Sequence, residues 1–203
     1  MSTRGTENII KTLASLYPNP KPTLNRNSPF ECLIAVMLSA QCTDKTVNKV
    51  TSQLFPATPE KIHALGRAKL AEIIKPCGLF NSKSKNIYET AKLIKQVPDT
   101  LEELTALPGV GEKTAEVVLA QIFKKPAFPV DTHIHRIANR LGICKTKTPS
   151  QTSKCLKQKI PQKHWHDLHI QIIFHGRDTC QSRKPKCPQC KLRPYCGYIH
   201  KIS

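Results

Sequence analysis

Acidic residues are scarce in this sequence. It carries 14 Asp and Glu against 32 Lys and Arg, which gives a formal net charge of +18 over 203 residues. The scarcity is greatest in the last third, because residues 133–203 contain only two acids, Asp167 and Asp178. A surface made only for solubility usually mixes both signs, whereas a field of one sign attracts a polyanion. Nucleic acid is therefore the expected partner, and a membrane surface is less favoured because no basic amphipathic helix stands out.

Long apolar segments are also missing. The longest run, around Leu33 to Leu38, falls far short of the roughly 20 residues that cross a bilayer. The first eleven residues lack the apolar centre of a signal peptide. We therefore expect a cytoplasmic protein with no membrane segment.

Most of the cysteines show no ligand spacing. Scattered single cysteines are typical of a reduced, cytosolic protein, in which they serve as small buried hydrophobic residues. We expect that role for five of the nine cysteines, namely Cys32, Cys42, Cys77, Cys144 and Cys155.

The strict alternation that marks β-strands is absent, and helical spacing takes its place. Ala115, Val118, Leu119 and Ile122, for example, recur at intervals of three and four residues. The run 30–40 is apolar nearly all round, which predicts a helix buried in the middle of a bundle. An all-α protein of short helices follows, with 145–163 expected to be a loop containing one short helix.

Four cysteines do cluster. Cys180, Cys187, Cys190 and Cys196 are spaced C-x6-C-x2-C-x5-C, and thiolates this close together bind a metal ion or a metal cluster. The spacing alone leaves a Zn²⁺ ion and an iron–sulfur cluster both open, because four cysteines serve either. The loop between the first two carries Arg183, Lys184 and Lys186, which we expect to contact phosphate groups rather than to be merely solvated.

The segment Leu107-Pro108-Gly109-Val110-Gly111 stands between two helical patterns. Two glycines one residue apart allow positive φ and a tight turn, whose N–H groups beside a helix amino terminus would bind a phosphate. An ordinary turn between helices is the alternative. A nucleotide-hydrolase phosphate loop is excluded because Glu112 precedes Lys113, and a dinucleotide fingerprint is excluded because position 114 is Thr.

Lys113 and Asp131 are the candidate chemical groups. A lysine in the first turn of a helix is electrostatically misplaced unless something uses it. It is either a further phosphate contact or a nucleophile, and partial burial would favour the neutral amine that attacks. Asp131 or Thr132 is placed to cap the next helix, and a carboxylate in a cleft could also accept a proton or steady a positive charge.

These segments resemble the endonuclease III family. The resemblance is carried by Leu107–Ala115, Val130–His133 and the four-cysteine spacing, with further support from 39–44, 78–83 and 175–177. Members of that family are DNA glycosylases with lyase activity and belong to the helix-hairpin-helix superfamily. The similarity extends from about Ile9 to Gly197.

The resemblance implies a fold and a site. The fold would have two helical domains with a cleft between them: a bundle of residues 22–131, and a second domain of residues 1–21 plus 132–203. The four cysteines would bind a [4Fe-4S] cluster, Lys113 would be the nucleophile and Asp131 its partner. The family's DNA contacts map onto Gln41, which fills the gap left by an extruded base, onto Leu79 as a wedge, and onto Leu107, Gly109 and Gly111 of the hairpin. The substrate would be double-stranded DNA with oxidised or ring-damaged pyrimidines or abasic sites, bound by a monomer.

Two other interpretations remain open at this point. An adenine-specific mismatch glycosylase shares the hairpin, the Asp and the cluster, but it lacks a lysine at position 113 and normally has an extra carboxy-terminal domain. A non-catalytic, metal-stapled DNA-binding module would explain the charge and the cysteines, but leaves Lys113 and Asp131 unused. Glu112 and Cys42 depart from the family pattern, and the neighbouring carboxylate of Glu112 would slow the lyase step.

Overall fold

The computed structural model describes residues 3–199, and in that range the chain forms helices and no strand. The predicted all-α class is confirmed. Eleven α-helices follow one another: α1 (Thr3–Leu16), α2 (Pro29–Ser39), α3 (Asp44–Leu54), α4 (Pro59–Leu65), α5 (Arg67–Ile74), α6 (Phe80–Leu93), α7 (Leu101–Thr105), α8 (Glu112–Gln121), α9 (Thr132–Arg140), α10 (Pro149–Lys159) and α11 (Trp165–Asp178). Within the same residues no helix is long and apolar enough to cross a membrane.

Local capping explains where many of these helices begin. A Ser or Thr side chain accepts a hydrogen bond from the backbone N–H three residues later, which satisfies one of the free donors at a helix start. This occurs at Ser28, Thr43, Thr58, Thr100 and Thr148. Proline follows three of these caps directly, at positions 29, 59 and 149, where its missing N–H costs nothing.

Residues 22–125 form one compact unit, called here the continuous unit. Helix α2 lies at its centre and packs against α3, α6 and α8. Every residue from Phe30 to Leu38 is buried, as the nearly uniform apolar run predicted. Helices α7 and α8 pack together, so the predicted hairpin connects two neighbouring helices.

The second compact unit, called here the split unit, is formed by residues up to Lys21 together with residues from Pro126 onward. Helix α11 packs against α1 and α9, and α10 packs against α9. In the structure the continuous unit ends at residue 125 and the split unit resumes at residue 126. The sequence analysis instead ended the helical bundle domain at residue 131, and that domain division stays a prediction. Residues 1, 2 and 200–203 of that division lie outside the described residues.

One local expectation is confirmed and one was wrong. The short helix expected within residues 145–163 is α10, of 11 residues, which begins at the Thr148 cap and Pro149. Cys144 and Cys155 are joined in a disulfide, so they are not separate thiols. Of the remaining scattered cysteines, Cys32 and Cys77 are buried as expected, while Cys42 is only half-buried.

Candidate nucleic-acid interface

The hairpin between α7 and α8 is held in place by its apolar residues. Leu107 and Val110 are buried, so their side chains anchor the turn and any contact by Leu107 with a ligand has to use its backbone. The Thr90 hydroxyl donates to the Pro108 carbonyl oxygen at 3.2 Å. Gly109 and Gly111 are exposed, and they therefore form the accessible edge of the turn.

The two hairpin glycines differ in conformation. Gly109 has a φ of +75°, in the left-handed region predicted from the sequence. Gly111 has a φ of −85° and a ψ of 171°, so this residue does not use the positive φ that glycine allows. It is the N-cap of α8 and provides no side-chain hydrogen bond to the helix. The first N–H groups of α8 therefore lack the side-chain cap seen at α9, and a helix start of this kind is suited to bind an anion.

Lys113 lies in the first turn of α8, immediately after the hairpin. Its side chain is exposed, and so is that of Glu112. The partial burial that would favour a neutral amine is therefore not found at Lys113. The ammonium group stands at the surface beside the uncapped helix start, where it is accessible to a ligand.

Asp131 is the N-cap of α9 and lies half-buried in the split unit. Its Oδ1 accepts a hydrogen bond from the Ile134 N–H at 2.8 Å, as the capping prediction required. Burial lowers the pKa of Arg136, and the Asp131 carboxylate is among the negative groups that oppose this shift. The carboxylate thus combines a structural bond with a charge that faces a neighbouring cation.

Gln41 and Leu79 share an unusual backbone conformation. Gln41 has a φ of 55° and Leu79 a φ of 49°, in a region that L-residues other than Asn and Asp rarely adopt. Both side chains are exposed, and Leu79 is 56% accessible. An accessible leucine on a strained turn is poorly explained by folding alone, and strained turns of this kind concentrate at functional sites.

The four clustered cysteines are half-buried at the end of the split unit. Cys180, Cys190 and Cys196 pack against its hydrophobic core. Burial raises the pKa of Cys190, a hydrogen bond with the Leu192 backbone opposes this, and the neighbouring thiols of Cys180, Cys196 and Cys187 raise the pKa further. All four sulfur atoms are thus electrostatic neighbours, although among residues 3–199 no three donor side chains converge closely enough to hold one metal ion.

Two arginines of α9, which the sequence patterns did not single out, hold the cysteine loop. Arg140 donates to Cys180 Sγ at 3.4 Å, to the Gln181 carbonyl at 2.7 Å and to the Ser182 carbonyl at 3.0 Å. Arg136 donates from Nη2 to the Cys180 carbonyl at 3.0 Å. The only sequence signal would have been two cations four residues apart on one helix face, which is common on basic proteins.

The basic loop itself is accessible. Arg183, Lys184 and Lys186 are all exposed. Lys184 adopts a φ of 49°, and the Lys186 N–H donates to the Thr179 carbonyl at 3.0 Å. The loop is therefore a defined surface that presents three cations to a partner.

Comparison with known proteins identifies the family. Residues 34–162 match the family described as HhH-GPD superfamily base excision DNA repair protein. The chain is 45% identical over 202 residues to endonuclease III of Haemophilus influenzae, covering 96% of each chain. It is similar to the solved structure of a non-covalent endonuclease III–DNA complex, with a TM-score of 0.94, 37% identity and coverage of 100% of this chain and 98% of the other.

A second solved structure is similar to the same degree. It is a trapped covalent intermediate of endonuclease III with DNA, an estranged-adenine complex, with a TM-score of 0.94 and 37% identity, covering 100% of this chain and 99% of that one. The chain therefore shares its fold with endonuclease III proteins whose structures have been solved in a non-covalent and in a covalent complex with DNA.

Proposed function

The chain belongs to the HhH-GPD superfamily of base excision DNA repair proteins, and on that premise we propose that it removes oxidised or ring-damaged pyrimidines from double-stranded DNA. It is a DNA glycosylase with AP lyase activity that acts through a lysine Schiff base. One observation carries the proposal: Lys113 is exposed in the first turn of α8, directly after the hairpin. The same fold, in an endonuclease III, has been trapped covalently on DNA.

Lys113 would act as the nucleophile. Its neutral amine attacks C1′ of the damaged nucleotide, the C1′–N bond breaks, and the base leaves with the bonding electrons and takes up a proton. The sugar ring opens to a Schiff base between C1′ and Lys113. The iminium acidifies the hydrogen on C2′, and loss of that proton expels the 3′ phosphate by β-elimination. Hydrolysis of the imine then releases the enzyme.

Asp131 would assist the reaction steps in which a proton is transferred or a positive charge develops. A carboxylate can take the proton from the attacking amine and can stabilise the positive charge that develops on the sugar. Because Oδ1 accepts the Ile134 N–H at 2.8 Å, the helix cap fixes the carboxylate in one orientation. The same bond that starts α9 would therefore hold the catalytic group ready.

DNA binding would combine phosphate contacts with insertion into the stack. The exposed N-terminal amides of α8 and the exposed Gly109 and Gly111 suit one phosphate group, and Arg183, Lys184 and Lys186 suit others. Gln41 would occupy the gap left by the extruded nucleotide, and Leu79 would separate the neighbouring bases. Extrusion costs a few kcal/mol and less for a damaged base, whose lost aromaticity weakens stacking.

We further propose that Cys180, Cys187, Cys190 and Cys196 bind a [4Fe-4S] cluster. The donor set fits, because four half-buried thiols lie together in one loop. Four cysteines serve either a zinc ion or an iron–sulfur cluster, and the membership of the chain in this superfamily is what favours the cluster. When bound, such a cluster supplies a rigid cross-link beneath the basic loop and no chemistry on the substrate. We place the protein in the cytoplasm with the DNA, as a monomer.

The adenine-mismatch alternative is disfavoured by Lys113 itself, since a glycosylase without lyase activity has no use for an amine at this position. The binding-module alternative is disfavoured by the strained, exposed turns at Gln41 and Leu79. A protein that only binds the DNA backbone does not need side chains aimed at the base stack.

Borohydride trapping tests the proposal. The protein is incubated with a duplex containing one thymine glycol, borohydride is added, and covalent complexes are counted on a denaturing gel. We expect a complex with the wild type and with Lys95→Gln, an exposed lysine of the same unit, and none with Lys113→Gln. Base release without any complex would instead indicate a glycosylase without lyase activity, and tight binding without base release would indicate a binding module.

A further inference from the structure

Lys83 is a buried cation that the proposed reaction does not use. It lies in the first turn of α6, in the continuous unit, and only 7% of it is exposed. Removing an ammonium group from water is costly unless hydrogen bonds compensate. Burial accordingly lowers the pKa of Lys83, while the nearby thiols of Cys42 and Cys77 act in the opposite direction.

Three backbone carbonyls compensate the buried charge. The Nζ of Lys83 donates to the Leu38 carbonyl at 2.9 Å, to the Ala40 carbonyl at 2.8 Å and to the Cys77 carbonyl at 2.9 Å. An ammonium group has three donors, so all of them are used. The side chain is therefore fixed at both ends, by α6 on one side and by these carbonyls on the other.

The three carbonyls belong to two different segments of the chain. Leu38 and Ala40 close the carboxyl end of α2, where Ala40 is the C-cap. Cys77 ends a single 3-10 turn, Lys75–Cys77. Gln41 follows Ala40 directly, and Leu79 follows Cys77 after one glycine. One ammonium group thus ties together the starting points of the two turns that carry Gln41 and Leu79.

Both turns need such a tie. A non-glycine residue in the left-handed region costs about 1–2 kcal/mol, and strain of this kind persists only where the surroundings determine the conformation. The φ values of 55° at Gln41 and 49° at Leu79 are of this type. Each strained residue stands within two residues of a carbonyl that Lys83 holds.

We propose that Lys83 is a positioning residue that sets the spacing of Gln41 and Leu79 for insertion into the DNA base stack. The inference rests on the proposed function, since it takes these two side chains to act on the same extruded nucleotide. Successive nucleotides of a strand are about 3.4 Å apart, so two side chains that enter neighbouring gaps tolerate little change in their separation. A displacement of about 1 Å can cost roughly a hundred-fold in rate.

The buried position of Lys83 makes its expected effect specific. Because it is shielded from solvent, it does not contact phosphate groups, and its loss should leave the general attraction to DNA unchanged. It should matter for opening a stacked duplex and much less where no stack has to be opened. A purely structural lysine, which merely complements the carboxyl end of α2, would show no such preference.

Lys83→Met keeps the length of the side chain and removes all three donors, and two substrates test it. One is a duplex with a single thymine glycol, and the other is a single-stranded oligonucleotide with an abasic site. We expect the single-turnover rate on the duplex to fall at least about tenfold, and that on the single strand less than about threefold. Affinity for undamaged duplex should stay within about twofold of the wild type.

Lys92→Met is the matched control. It removes the same charge from the same helix, but its side chain is 45% exposed, lies 3.9 Å from a Glu89 carboxylate oxygen and stands over the Tyr88 ring, and it holds none of the three carbonyls that Lys83 holds. We expect it to leave both rates unchanged. In a Gln41→Ala, Leu79→Ala background, Lys83→Met should cause little further loss on the duplex, because the groups that it positions are already gone.

Equal losses on duplex and single strand, or a full additional loss in the double-alanine background, would overturn the positioning role. If Lys83→Met does not fold, Lys83→Arg replaces it, since the longer cation keeps the charge and pushes the two segments apart. That variant should again lose rate on the duplex selectively, and an unchanged duplex rate would count against the inference. A wild-type protein that forms no trapped complex on either substrate would refute the proposed function itself, which is a different result.

Discussion

A side chain at Gly109 would collide with Asn86. A Cβ built on the glycine would lie 2.5 Å from the Asn86 Nδ2 atom, and Gly109 also has a φ of +75°. The hairpin therefore approaches α6 more closely than any other residue type would permit.

This contact separates the roles of the two hairpin glycines. We expect Gly109→Ala to destabilise the protein by about 1–3 kcal/mol, because it adds both the collision and backbone strain. Gly111→Ala should fold normally, since its φ is −85° and its Cβ would meet nothing within 4 Å. It should nevertheless weaken DNA binding, because the added methyl group stands where a phosphate would approach. Denaturant unfolding and DNA titration of both variants measure the difference, and equal effects of the two on binding alone would contradict it.

Asp131 has two roles that two substitutions can separate. Asp131→Asn keeps a good N-cap for α9 but removes the charge, so we expect nearly normal stability with a large loss of single-turnover rate. Asp131→Ala should lose the rate and also about 1 kcal/mol of stability, because the bond to the Ile134 N–H is lost. Unfolding curves and base-release assays check this. Full activity of Asp131→Asn would remove the carboxylate from the chemistry.

Arg140→Met should loosen the cysteine loop. The substitution removes the part-buried bonds to Cys180 Sγ and to the Gln181 carbonyl and the exposed bond to the Ser182 carbonyl, and a hydrogen bond from a charged donor contributes more than one from a neutral donor. For protein that carries the proposed cluster, we expect faster loss of iron to a chelator, and we expect a several-fold weaker affinity for duplex DNA. Arg67→Met, an exposed arginine of the continuous unit, is the control. Iron release and visible absorbance are the measurements, and unchanged release would show that the loop does not depend on Arg140.

The basic loop predicts a defined salt dependence. A plot of log K for DNA binding against log salt has a negative slope. Each phosphate contact that is lost should make that slope less steep by about 0.9 for double-stranded DNA. We expect a less steep slope for each of three loop variants, Arg183→Ser, Lys184→Ser and Lys186→Ser. Lys11 is an exposed lysine on α1, and Lys11→Ser should leave the slope unchanged. Binding isotherms at several salt concentrations decide this. A slope that no loop substitution alters would identify these cations as solvated surface.

The Cys144–Cys155 disulfide should be detectable in solution. Alkylation without reductant is expected to leave these two cysteines unlabelled. Replacing both with serine should lower the free energy of unfolding by about 2–3 kcal/mol, the value for a loop of this length. Peptide mass spectrometry and denaturant unfolding measure the two effects, and full labelling of both thiols would restore the original interpretation of buried free cysteines.

Local features of this protein were legible from its sequence. Three features depend on residues within about four positions of one another: the helical spacing, the apolar run of α2 and the cap at Asp131. Such short-range interactions can be predicted directly from the order of the residues. The surplus of Lys and Arg and the four-cysteine spacing are likewise properties of composition and order. Together they were sufficient to predict a helical protein that binds nucleic acid and has four candidate metal ligands, whereas DNA as the partner was implied by the family resemblance.

Contacts between distant segments were decided only by the tertiary structure. The bonds from Lys83 to Leu38 and Ala40 join residues more than 40 positions apart, and those from Arg140 to the cysteine loop join segments equally distant in sequence. No periodicity marks such pairs, because they exist only after helices pack and bring a donor to a carbonyl that would otherwise face water. The same holds for the exposure of Lys113 and the bond between Cys144 and Cys155. The sequence determined which groups are present and on which helices they lie, and packing determined which of them are buried, paired or accessible.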